Sequence, residues 1–284
     1  MTSVSPEGRS FIEVQFPVAQ VSAESYKERK AGASQTLTGL GKWWGRKPLV
    51  MVRAALLGLL LPATADPQKD REIFFKLMTM DRDGLWRRKN RAISQTTLIE
   101  YLRHMPPSVR RRFLGPSGTA LQALGRQERG ELERLVFEQM PYSEKIQYCL
   151  RPEQIEGPSP EAWAEINAYL GTDAHSLAEL VQALGRRRFG RTPRVGDAFC
   201  GGGSIPFEAA RLGCEVFASD LNPMAAFLTW SALHLLHQGE RAMQALRAMQ
   251  EEIIKEVDRQ IVEWGIEQNA QGWRADMYLY CTEV

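Results

Sequence analysis

Two acids bracket a glycine triplet in the stretch RVGDAFCGGGSIPFEAARLGCEVFASDLNP, from Arg194 to Pro223. Asp197 precedes the glycines, and Asp220 closes the next apolar run, just ahead of Asn222. A carboxylate in such a place accepts hydrogen bonds from hydroxyls and attracts cations. Glycines between the acids remove every side chain from a tight turn, so that a ligand can lie directly against backbone N–H groups. The flanking pattern supplies the elements that must position them. RVGDAFC is a short apolar run that predicts the first strand of a parallel sheet. Pro206, in a first turn, opens a helix over IPFEAARL that Gly213 stops. EVFASD predicts a second strand that ends on Asp220. Strand, glycine turn, helix, strand and terminal acid form the first half of a nucleotide-binding doubly wound fold.

Two details separate this pattern from a dinucleotide site. The glycines are contiguous and do not follow G-x-G-x-x-G, the fingerprint that lays a pyrophosphate on a helix N-terminus. Asp197, moreover, would repel a pyrophosphate. An acid there suits a cationic ligand group. S-adenosylmethionine fits, because its amino group and sulfonium are positive while its ribose needs an acceptor such as Asp220.

The rest of the chain limits the setting. Its 284 residues carry a formal net charge of +2 and an ordinary apolar fraction, as expected of a soluble protein of one or two domains. The apolar stretch from Leu49 to Ala63 is broken by Arg53 and predicts a buried helix, not a membrane span. The N-terminus lacks the layout of a signal peptide, so a cytoplasmic protein is expected. Cys149, Cys200, Cys214 and Cys281 are scattered, which predicts reduced thiols and no metal site. FIEVQFPV, from Phe11 to Val18, alternates and predicts a short strand, and Ser22 to Lys30 a short helix. A Gly-, Ser- and Thr-rich loop then runs to Pro48, which takes the first position of the helix from Leu49 to Leu61. Residues 67–193 read as mainly helical. Ser159, Pro160 and Glu161 mark a helix start there. Helices are expected over 224–237 and 239–264, followed by an incoming strand in the last dozen residues.

Basic residues cluster unevenly. Arg87, Arg88, Lys89, Arg110, Arg111 and Arg112, interleaved with Trp86, Tyr101 and Phe113, have the composition of a surface that tracks a phosphate backbone. A solvated helical face is the plain alternative. A second cluster, Arg186 to Arg188 with Arg191, directly precedes the glycine stretch.

DAFCGGGSIPFEA resembles the first motif of S-adenosylmethionine-dependent methyltransferases that act on exocyclic amines of nucleic-acid bases, and ASDLNP resembles their second. Ala198 stands where that family commonly has proline, a mild departure. KWWGRKPLVMVRAALLGLLLP, from Lys42 to Pro62, is similar to the signature of the domain-of-unknown-function family 1156, bacterial proteins whose implied activity is DNA adenine-type methyl transfer, some in anti-phage defence. The two signatures cover about a quarter of the chain. The resemblance implies a Rossmann-like α/β methyltransferase fold carrying a large, mainly helical insertion. Its cofactor contacts would be Asp197, Phe199, Gly201, Gly203 and Ser204 from the first motif and Asp220 and Asn222 from the second. From the K-P-L element, Lys47 would offer charge to the cofactor carboxylate and Pro48 would start the helix, with Trp43 or Trp44 covering the pocket.

Amino-methyltransferases grip the flipped base with a [DNS]-P-P-[YF] segment, and this sequence holds none. The expectation is therefore an incomplete fold, its first strands only: an N-terminal part with DNA as substrate and a catalytic half or defence-system subunits as partners. Three segments are expected, residues 1–63 with the K-P-L element, a basic helical insertion over 64–191 that contacts target or partner, and the cofactor domain over 192–284. Two alternatives stay open. Ribosomal RNA guanine methyltransferases share a similar first motif, and a non-catalytic cofactor-binding or assembly subunit would also lack the base-gripping segment.

Overall fold

The run that starts at Phe11 is helical where its alternation predicted a strand. In the computed structural model, which describes residues 8–30, 47–234 and 239–274, helix α1 spans Phe11–Gln15. The Glu13 carboxylate accepts from the Ser10 amide at 2.6 Å, a local cap that alternation does not register. Phe11 then stacks on Phe74 with ring centroids 4.7 Å apart. Only residues 9 and 10 run extended, where Phe11 donates to the Leu61 carbonyl and Ala63 to that of Arg9.

Helix α2 (Val18–Lys30) is longer than its sequence signals predicted, and α3 (Leu49–Leu60) follows, with Pro48 one position earlier than expected, at the N-cap. The loop with Trp43 and Trp44 lies outside the described residues. Then come α4 (Pro67–Leu77), α5 (Arg82–Arg88), α6 (Gln95–Arg103), α7 (Pro107–Phe113), α8 (Arg126–Gln139), α9 (Tyr142–Lys145), α10 (Pro160–Leu170) and α11 (Leu177–Phe189). The start signal of α10 works as read: the Ser159 hydroxyl accepts from the Ala162 amide, and Gly171 ends the helix in the left-handed region.

Strands β1 (Arg194–Asp197) and β2 (Glu215–Ala218) pair in parallel, Val195 opposite Val216, across the connecting helix α12 (Ser204–Arg211). Helices α13 (Pro223–His234) and α14 (Gly239–Trp264) follow; the expected extension of α13 to residue 237 and most of the expected last strand lie outside the described residues. The result is a mainly helical α/β chain around a small parallel sheet.

Two compact units divide the chain, Met1–Thr229 and Trp230–Val284. Within the first, the helical block of residues 64–191 is split between two cores. Helices α4, α10 and α11 join α1, α3, α12 and the sheet around Phe74, Leu57, Ile166 and Leu180. Helices α5 to α8 surround their own centre of Leu98, Phe113, Val136 and Phe137. Among the described residues the sheet is covered on one face only: Val195 and Val216 are half-buried, whereas Gly196 and Phe217 on the other face are exposed. Parallel sheets are ordinarily packed on both faces.

The approach of α11 to β1 depends on Gly185. A Cβ there would lie 2.3 Å from the ring of Pro193, which immediately precedes the strand. A pyrrolidine ring cannot swing aside as a long side chain does. Gly185→Ala is expected to destabilise the fold by about 1–3 kcal/mol, seen as a lower urea midpoint at unchanged m-value.

Candidate ligand site at the glycine turn

Residues 198–203 carry the chain from the end of β1 into α12 and are held from both sides. The ladder continues past the strands: Ser219 donates to the Asp197 carbonyl at 2.9 Å and Cys200 to the Ser219 carbonyl at 3.0 Å. Gly201 (φ +50°) and Gly203 (φ +76°) occupy the left-handed region that glycine alone enters freely. Gly203 closes the turn by donating to the Cys200 carbonyl at 2.7 Å. The first amides of α12, at Ser204 and Ile205, have no preceding helical carbonyl to bond and give that helix end a partial positive charge.

Asp220 ties the two motifs together. One carboxylate oxygen accepts from the Gly201 amide at 2.8 Å and the other from the Asn222 amide at 2.9 Å. Those bonds, Asn222 first and Gly201 second, hold its carboxyl below the usual aspartate range. The group is solvated and anionic, with lone pairs left for a ligand. Asp197, half-buried, accepts from the Phe199 amide at 3.1 Å. Asn222 accepts through its side chain from the Met224 amide at 2.9 Å and so caps the start of α13. The structure therefore gathers Asp197, Gly201, Gly203, Ser204, Asp220 and Asn222 at the carboxyl edge of the sheet. Phe199 stands at the same edge with 87% of its surface exposed.

The last turn of α3, at Leu56, Leu59 and Leu60, lines a cavity with Pro193, Arg194 and Val195, at the amino end of β1, and Lys47 and Pro48 stand at the opposite end of that helix. Helix α12 starts at the carboxyl edge of the sheet and returns to the amino end of β2. The two helices pack together. They are joined one turn in by a buried ion pair: Arg53 Nε lies 2.6 Å from Glu208, and Arg53 also donates to the Pro152 carbonyl at 3.0 Å. Arg211 holds the second oxygen of Glu208 at 2.9 Å.

Two site residues went unnoticed in the sequence. Thr229 of α13 lies under the turn, 3.3 Å from the Gly201 carbonyl and 3.4 Å from the Cys200 sulfur. Glu28 of α2 accepts from the Leu49 and Val50 amides at 3.1 and 3.4 Å, capping α3 where Pro48 has no side chain able to do so. Burial, and then the nearby Glu153 carboxylate, push the Glu28 carboxyl above the usual glutamate range. Glu28 thus fills the amide end of α3, and Lys47 of the K-P-L element is exposed. Neither residue carries a local sequence signal.

The basic cluster separates. Arg88 is fully buried; it lies 2.5 Å from Glu24 and donates to the carbonyls of Leu150 and Thr79 at 2.9 and 3.0 Å. It is a core residue, and its expected contact with nucleic acid is withdrawn because no phosphate can reach it. Arg87 holds the Gly157 carbonyl at 2.9 Å, and Lys89 pairs with Glu133 at 2.6 Å. Arg112 makes a two-pronged pair with Glu131 at 2.7 and 2.5 Å. Arg110 and Arg111, exposed in the last turn of α7, remain outward.

Cys149, Cys200 and Cys214 are buried free thiols. Among the described residues no cluster of three or more His, Cys, Asp or Glu could hold a metal ion, and no helix is long and apolar enough to cross a membrane. No curated protein and no solved structure matches the chain. One family does: residues 15–77, the segment of α2, α3 and α4 that includes Lys47, Pro48 and Arg53, match the family described as Protein of unknown function (DUF1156).

Proposed function

We propose that the glycine turn binds S-adenosylmethionine and that the chain is the cofactor-holding part of a methyltransferase acting on an exocyclic amine of a DNA base, adenine in the first instance. The observation that carries this reading is the Asp220 carboxylate, anchored to the Gly201 and Asn222 amides and still open to solvent. A carboxylate at the end of β2 suits ribose hydroxyls, and Asp197 at the end of β1 suits an ammonium or sulfonium. The donor set fits a cationic nucleoside and disfavours a pyrophosphate. Bound there, the cofactor would supply a methyl group on a sulfonium centre. The protein's own part is to orient it: Asp220 for the ribose, the turn amides and Lys47 for the carboxylate end.

In this reading the sheet is the first part of a Rossmann-like domain. Further strands and helices would cover its bare face and bring the base-gripping segment, while Arg110 and Arg111 would meet the phosphate backbone. A non-catalytic assembly subunit is the second reading, favoured by the exposed Phe217 face.

Isothermal titration of the purified chain tests the proposal. S-adenosylmethionine is expected to bind saturably and NAD not at all. Asp220→Ala should weaken the former about 5- to 150-fold, since a buried hydroxyl pair without its acceptor costs about 1–3 kcal/mol. A folded chain that ignores S-adenosylmethionine, or binds it equally well without Asp220, would overturn the assignment.

A further inference from the structure

Helix α14 buries none of its 26 residues, yet most of its apolar side chains, Val262 excepted, fall in one stripe. Met243, Leu246, Ile253, Val257 and Trp264 recur at steps of three, four or seven, the spacing of one helical face. Ile253 is 56% exposed, Val257 49% and Trp264 66%. A contiguous apolar face on a helix about 39 Å long is the kind of surface that another chain covers.

We propose that α14 is a self-association surface that pairs antiparallel with α14 of a second copy of this chain. The argument for that occupant is the distribution of charge along the helix. Its first half carries Arg241 and Arg247 beside Glu240. Its second half carries Glu251, Glu252, Glu256, Asp258 and Glu263 against Lys255 and Arg259. A parallel pair would set the acidic half against itself. An antiparallel pair sets the basic half against the acidic one.

A single register satisfies both the stripe and the charges. With the two-fold axis near Glu252, Met243 meets Ile261 and Leu246 meets Val257, while the two copies of Ile253 flank the axis. On the flank Arg247 falls opposite Asp258 in that same register. Arg247 has no ion-pair partner among the described residues. Asp258 uses one oxygen for Arg274 and keeps the other open. Helices paired in this way pack side chains as coiled coils do.

Sedimentation velocity of the full chain, with circular dichroism alongside, tests the proposal. The protein is expected to sediment as a dimer at low micromolar concentration. Ile253→Glu with Val257→Glu should make it a monomer of unchanged helix content, because neither side chain is buried in the copy that carries it. Arg247→Glu should raise the dimer dissociation constant about tenfold, through two symmetry-related pairs. Adding Asp258→Arg to that chain should restore it. A wild-type monomer, a dimer indifferent to the paired glutamates, or a charge reversal that the second substitution fails to rescue would each overturn the antiparallel pairing.

Discussion

Arg88→Met is expected to lower the unfolding free energy by about 3–5 kcal/mol, the usual penalty for removing one partner of a buried ion pair. Methionine fills much of the space but leaves the Glu24 carboxylate inside the protein with the Tyr142 hydroxyl, which donates to it at 3.0 Å, and the nearby Lys27 ammonium in place of its buried partner. It also strips the carbonyls of Leu150 and Thr79 of their donors. Against a total stability of order 5–15 kcal/mol, the loss should be visible as a large drop in the urea midpoint. A second variant separates the charge from the packing. Arg88→Met with Glu24→Leu removes both ions and should be less destabilised than Arg88→Met alone, because no uncompensated charge remains. If Arg88→Met costs less than about 1 kcal/mol, the side chain is not the core element that its burial implies.

The same residue shows where the sequence stops being informative. Arg87, Arg88 and Lys89 are consecutive, and on a helix consecutive residues point about a hundred degrees apart. One faces solvent, one faces inward and one pairs across to α8. Composition sees three cations, whereas the fold uses them in three ways. The distinction rests on Glu24, 64 positions away, and no local pattern announces it. The Arg53–Glu208 pair spans 155 positions and is equally silent, although it joins the two signatures that the sequence showed separately.

What was legible was local. The stretch from Arg194 to Asp220 states its own structure, because strand, positive-φ glycines, helix start and helix stop all lie within thirty residues. The Ser159 cap and the bounds of α14 were readable for the same reason. Alternation at Phe11 misled because five residues cannot distinguish a period of two from the start of a capped helix. The Ser10–Glu13 cap and the stack of Phe11 on Phe74 decide it. The split of the helical block into two cores was hidden because it depends on which distant helices meet, not on what each one is.

Gly203 is where legible motif and hidden contact meet, and Gly203→Val is the second substitution expected to act strongly. The glycine holds φ +76°, a conformation that costs an L-residue about 1–2 kcal/mol and a β-branched one no less. A Cβ would also stand 2.7 Å from the Thr229 hydroxyl and 3.3 Å from its Cβ, an overlap worth a further 1–3 kcal/mol or so. The two costs can be told apart. Gly203→Val with Thr229→Gly empties the space beneath the turn, so it should recover the overlap share in urea denaturation and leave the backbone share in place. Should the double variant be no more stable than Gly203→Val, Thr229 does not pack where the geometry puts it. The ligand readout follows the backbone share. A valine at 203 resists φ +76° and so distorts the turn whose amides are to face the cofactor, and S-adenosylmethionine affinity should stay low even where the overlap is relieved. Affinity that returned together with stability would mean that the ligand does not approach the turn at Gly203, and would move the proposed site away from the glycine triplet.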